Sequence, residues 1–199
     1  MRKQVLDEII DNKCLLKHPF YQAWNMGTLT KGDLAVYATQ YGEFIDTIAT
    51  GWEAVGDSDT AEEEREHAVL WTDFATDLNA PRPAGSRLPE IAELVELAHA
   101  SFSNRPQALG ALYAFEHQQP ATAHSKLEGL RKHYNLSASA EVYFDIHKDD
   151  EDEPRWLAEQ MERLSEAEFA VARESCESMA GALWRGLDGV LLEIERSKN

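Results

Sequence analysis

Apolar residues recur along this chain at spacings of three and four, and no alternating apolar–polar stretch lasts long enough to make a strand. Gly and Pro fall between the periodic segments rather than inside them, so the pattern divides the chain into helices. It predicts a first helix over about residues 3–16, a short helical piece at 18–24, and a turn at 25–28. Thr30 and Asp33 have the spacing of a capping box, and the helix they start carries Leu34, Tyr37, Ala38, Tyr41, Phe44, Ile45, Ile48 and Trp52 on one face. A break at 56–59 precedes a third helix, capped by Asp59 and running to about Leu78. The Pro- and Gly-rich segment 80–85 reads as a linker inside one domain. A fourth helix then covers about 89–101, and a fifth runs from Pro106 to about Tyr134 with a kink at Pro120. The sixth begins near Ser139 and dissolves into the acidic run 149–154. The last starts at Ser165, whose Glu168 completes a capping box, and continues to about Glu195. Such a series folds as a single all-α bundle over residues 1–199.

A few ionisable groups lie on the apolar stripes, where a charge must be paired, protonated or bound to metal. On the third helix Glu63 and His67 share a face with Leu70, Trp71, Phe74 and Leu78, so both can reach one metal ion; the other reading is a core histidine beside a solvent-margin carboxylate. On the fifth, Glu116 interrupts a stripe of Leu109, Leu112, Tyr113, Ala123, Leu127 and Leu130 one turn before Pro120. Glu116 is either a metal ligand or half of a buried ion pair with Lys126. On the sixth, His147 follows Tyr143 by one turn and Glu151 follows His147 by another, which is ligand spacing or the chance product of an acidic run. His18, His117, His124 and His133 have no such context and read as surface or structural. Three inward carboxylate–histidine sets on three helices resemble the carboxylate-bridged iron sites of helical bundles.

The composition narrows the function. The chain of 199 residues is 43% hydrophobic, enough for one packed core. A formal net charge of −17 repels phosphate backbones and anionic membranes, so nucleic acid and membrane are excluded as partners. No apolar run approaches the roughly 18 residues that would span a bilayer, and no secretory signal core is visible, which points to the cytoplasm. Cys14 and Cys176 stand alone and read as reduced thiols.

Several stretches together resemble a known family. They are His18-Pro-Phe-Tyr-Gln-Ala-Trp24, Tyr37-Ala-Thr-Gln-Tyr41, His67-Ala-Val-Leu-Trp71, Leu112-Tyr-Ala-Phe-Glu116 with Gln119-Pro120, Lys126-Leu-Glu-Gly-Leu130 and Tyr143-Phe-Asp-Ile-His147. Over nearly its whole length the chain is similar to the CADD-like branch of the heme-oxygenase-like oxidases, relatives of the TenA and PqqC proteins. The resemblance implies a heme-oxygenase-like bundle of about seven helices, forming a homodimer. It also implies one or two non-heme iron ions, with O2 and a small-molecule substrate as the reacting partners. By the family pattern His67, Glu116 and His147 are ligands, Glu63 is the best candidate for the third-helix carboxylate, and Glu151 stands where the family has Asp. Pro154 replaces a final histidine ligand, and Thr60 occupies the position seven before His67. The family's CADD members are implicated in making p-aminobenzoate from their own tyrosine and lysine, and those positions match Tyr21 and Lys126. The leading expectation is an O2-dependent iron oxidase acting on a small metabolite or on its own side chains. One alternative is a metal-depleted relative that binds a small organic ligand, which Pro154 favours. A second is a protein-interaction role.

Overall fold

A computed structural model of the chain describes residues 2–80 and 88–198. Eleven α-helical segments appear among them: α1 Arg2–Asp11, α2 Pro19–Met26, α3 Lys31–Ile45, α4 Ile48–Val55, α5 Ser58–Asp77, α6 Pro89–Ser101, α7 Arg105–Glu116, α8 Gln119–Gly129, α9 Ala138–His147, α10 Asp152–Glu162 and α11 Glu166–Arg196. No strand occurs among the described residues, and the expected all-helical bundle is found. Most of the predicted linker at 80–85 lies outside the described residues.

The long predicted helices are divided where backbone chemistry demands it. The helix expected to run through Trp52 breaks at Asp46 and Thr47, where the Thr47 hydroxyl takes the Phe44 carbonyl at 2.7 Å. The fifth breaks at His117 and Gln118, because Pro120 has no N–H for the Glu116 carbonyl. It then ends in a π turn over Leu130–Tyr134, closed by Asn135 at φ 47°. The capping boxes at Thr30/Asp33 and Ser165/Glu168 both form. One helix was not expected: the chain leaves α9 at Lys148 but resumes as α10, with Pro154 in the first turn, where a missing N–H costs nothing.

The longest helix, α11, packs along α7 and α6 and forms the spine of the bundle. Beside it α5 and α9 lie against each other, with Trp71 and Phe74 of α5 meeting Tyr143 and Phe144 of α9. No described helix is long and apolar enough to cross a membrane. Both cysteines are unpaired thiols.

The α7–α11 contact depends on Gly110, because a β-carbon there would overlap the Ala172 carbonyl of α11. Gly110→Ala is expected to lower stability by about 2–3 kcal/mol through overpacking. Exposed Gly32, in the first turn of α3, has room for a methyl group. Gly32→Ala should therefore be neutral or stabilising by up to about 1 kcal/mol. Paired urea titrations check both, and equal midpoints for the two variants would contradict the close packing.

Candidate metal centre

The centre is built by three helix segments. Helix α5 presents Glu64 and His67 at i and i+3, so their side chains stand one turn apart on the same face. His147 is the last residue of α9, and Glu116 the last of α7. Glu64, Glu116 and His147 are each 3% exposed or less. His67 Nδ1 lies 2.6 Å from Glu64 Oε1, His147 Nε2 lies 3.8 Å from the same oxygen, and the two imidazole rings cross at 4.6 Å. His147 Nδ1 is 2.6 Å from the Tyr143 carbonyl and donates to it, which leaves the Nε2 lone pair facing Glu64.

These donors fit a metal ion. One ligand atom each from Glu64, His67 and His147 lies within 4.8 Å of the others. Ligands on opposite sides of one ion stand about 4.2 Å apart, so small side-chain movements close the set on a single cation. Burial alone would raise the Glu64 carboxyl, but the two histidines outweigh it and hold it below the usual range. Burial likewise opposes charge on His67, and Glu64 reverses the effect so that its pKa is raised. A carboxylate with two imidazoles suits iron or a similar transition metal.

Glu116 is held differently. Its Oε1 accepts the Trp52 indole N–H at 3.3 Å, and its carboxyl shares a hydrogen bond with Glu153. Burial, Glu153 and Glu64 together push it well above the ordinary carboxylate range. Burial and the neighbouring charge of Glu64 push Glu153 up to about 9.

The residues singled out in the sequence do not all converge. Glu63 is exposed and lines a surface cleft, while its neighbour Glu64 turns inward, because the buried face of α5 runs through Ala61, Glu64, Trp71 and Phe74. Glu151 is also exposed and lines a different cleft, beside Lys3 and His117. The helix has ended by then, so the one-turn spacing from His147 no longer holds. Glu153, in the first turn of α10, is the residue that approaches Glu116. Neither Glu64 nor Glu153 was singled out in the sequence. The i,i+3 relation of Glu64 to His67 was the only signal for the first, and Glu153 had none.

Tyr21 and Lys126 do meet. The Lys126 ammonium lies 5.3 Å from the centre of the Tyr21 ring and 5.2 Å from that of Phe144, and it pairs with no carboxylate among the described residues. The alternative Lys126–Glu116 ion pair is thus absent. The Tyr21 and Tyr37 hydroxyls are 3.1 Å apart. His18 is fully buried and structural; its Nδ1 caps α2 by accepting the Phe20 N–H, and its Nε2 meets Asp188 at 3.0 Å.

Bundle and donor set together define a heme-oxygenase-like helical protein with a Glu–His–His site in which Glu64 and His147 are buried and His67 is half-buried. The chain belongs to the family of iron-containing redox enzymes, whose profile matches residues 36–187. A 4-aminobenzoate synthase from Nitrosomonas europaea is 31% identical, over 94% of this chain and 90% of that protein. A domain of unknown function with a heme oxygenase-like fold from Shewanella denitrificans superposes with a TM-score of 0.79 at 18% identity, covering 99% of this chain and 93% of that one. A CADD-like protein of unknown function from Nostoc punctiforme gives 0.65 at 14% identity, covering 98% and 97%.

Burial drives the Lys126 pKa down to about 7. The unfolded lysine titrates near 10.4, so between these values the unfolded chain binds more protons and stability rises with pH. Lys126→Met should flatten that rise and stabilise the protein at pH 7 by about 2–4 kcal/mol. Denaturant titrations from pH 6.5 to 10 check this; parallel pH profiles for wild type and variant would contradict it.

Proposed function

We propose that this protein is a non-heme iron oxidase that uses O2 and draws on its own side chains to make 4-aminobenzoate or a close aromatic amine. The observation that carries the reading is the burial, in one core, of a metal-binding donor set and an uncompensated lysine resting on a tyrosine ring. Glu64, His67 and His147 would hold iron, with Glu116 close enough for the charge of Glu64 to act on it. Bound iron would supply O2 activation, with carboxylate ligands offsetting its charge.

The remaining chemistry belongs to the protein. With its pKa near 7, Lys126 carries a substantial fraction of free amine at neutral pH, and a free amine is the nucleophilic form. Its nitrogen is held over the Tyr21 ring, with the Trp24 indole N–H donating to the Lys126 carbonyl at 3.0 Å to fix the backbone. The Tyr21 phenol is kept protonated by burial and tethered by Tyr37. At 2% and 3% exposure, Tyr21 and Lys126 are closed to a diffusing substrate, which favours the side chains themselves as the material consumed. The name of the Nitrosomonas europaea relative supports the same product class.

The test is to load the protein with ferrous iron, admit O2 and a reductant with no organic substrate, and look for 4-aminobenzoate by mass spectrometry. Wild type is expected to form at most one equivalent per chain, while Tyr21→Phe and Lys126→Arg retain iron and form none. Product from Tyr21→Phe at the wild-type level would show that the ring comes from outside. No product from iron-loaded wild type would remove the proposal.

A further inference from the structure

Trp71 is buried, yet one edge of its indole reaches a cleft of about 170 Å³ between α3 and α5, where Ala38, Gly42 and Ala75 surround it. Its inner side faces the proposed site. The ring lies 5.0 Å from that of Tyr143, which lies 4.4 Å from His147. It also lies 5.6 Å from the ring of Tyr37, whose hydroxyl meets that of Tyr21 at 3.1 Å. Trp71 and Tyr143 therefore stand between the cleft and His147, and Trp71 and Tyr37 between the cleft and Tyr21.

Small residues make this opening. A β-carbon at Gly42 would stand 2.7 Å from Trp71 Nε1 and cover the indole edge. The indole N–H already donates to the Ala38 carbonyl at 2.9 Å, so the cleft floor offers a ligand no unsatisfied polar atom of Trp71. Threonines and the carboxylates of Glu43 and Asp46 complete the lining, and no Lys, Arg or His stands among its described residues to pair with an anion. A cavity of about 150 Å³ with an apolar wall is enough to bind benzene or xenon. The cleft beside Glu153 differs where it meets the core, because its inner wall there is a carboxyl group that is hydrogen-bonded to Glu116. Polar groups of that kind hold water and disfavour an apolar molecule.

Resting on the reading that the protein consumes O2, we infer that the cleft between α3 and α5 is the docking site and inlet for O2, which passes into the core along the edge of Trp71. O2 is small, uncharged and apolar, so it needs no hydrogen-bonding partner on the way and gains by leaving water. Side-chain fluctuations in a row of packed rings open gaps wide enough for a diatomic molecule and too narrow for an aromatic substrate. An inlet of this kind supplies oxidant to a core in which Tyr21 and Lys126 stay closed to larger molecules.

Xenon serves as the apolar probe, since its binding needs no iron. Crystals of the full chain are pressurised with xenon for wild type, Ala75→Phe, which fills the cleft, and Val69→Phe, a control on the exposed face of the same helix. The ferrous-loaded proteins are then mixed with O2 at several concentrations and followed by stopped flow. Xenon is expected beside Ala38, Gly42 and Trp71 in wild type and Val69→Phe and absent from Ala75→Phe. The second-order rate constant for O2 should fall at least about tenfold in Ala75→Phe, with iron content and the rate at saturating O2 unchanged. If Ala75→Phe does not fold, Ala75→Leu replaces it with the same expected losses. A wild-type cleft without xenon overturns the inference. So does a folded, xenon-free Ala75→Phe that reacts with O2 at the wild-type rate, and both results leave the iron-oxidase reading standing. A loss that persists at saturating O2 overturns it too, because the variant would then have damaged the chemistry and not the inlet. Iron-loaded wild type that does not react with O2 overturns both.

Discussion

Burial of carboxylates that no Lys or Arg neutralises among the described residues is the constraint on which the rest of this structure depends. Glu64 and Glu116 are removed from water, and Lys126, the one buried lysine among the described residues, is turned away from them onto aromatic rings. Desolvating a carboxylate costs several kcal/mol unless a cation or hydrogen bonds compensate. Two histidines do this for Glu64; a Trp indole and a second carboxyl do it only partly for Glu116. On the proposed reading, positive charge from outside the chain completes that compensation.

The helices are arranged to present that charge deficit in one place. Glu64 and His67 come from the middle of α5, whereas His147 and Glu116 stand at helix ends and Glu153 in an opening turn. Helix termini free their side chains from the i+4 neighbours that would otherwise crowd them, and the Pro120 break places Glu116 at such an end. Aromatic packing seals the region: Tyr143 lies against His147 at 4.4 Å, and Trp71 lies against Tyr143 at 5.0 Å. Tyr37 extends the same packed series toward Tyr21 and Lys126, so the donor set and the amine share one packed interior.

Much of the fold was legible in the periodicity. The caps at Thr30 and Ser165 and the kink at Pro120 each follow from local chemistry that a short window contains. What escaped was tertiary. Glu63 and Glu64 are adjacent and both reach His67 along a helix; only the side on which α9 packs decides which is buried. His147 and Glu151 keep ligand spacing only if the helix continues, and it stops at His147. Pro154 read as the loss of a ligand and the end of order, yet it sits in the first turn of α10, the turn that brings Glu153 inward. The family resemblance supplied the pairing of Tyr21 with Lys126, which no spacing rule connects across 105 residues of sequence, and the two side chains do meet.

The most direct measurement is anomalous diffraction at the iron edge from crystals of the iron-loaded protein. The expected result is a peak ligated by Glu64 Oε1, an imidazole nitrogen of His67 and His147 Nε2, with Glu63 remaining in solvent. A peak held instead by exposed carboxylates such as Glu63 or Glu151, or no interior peak in fully loaded protein, would contradict the view that this core is built around iron.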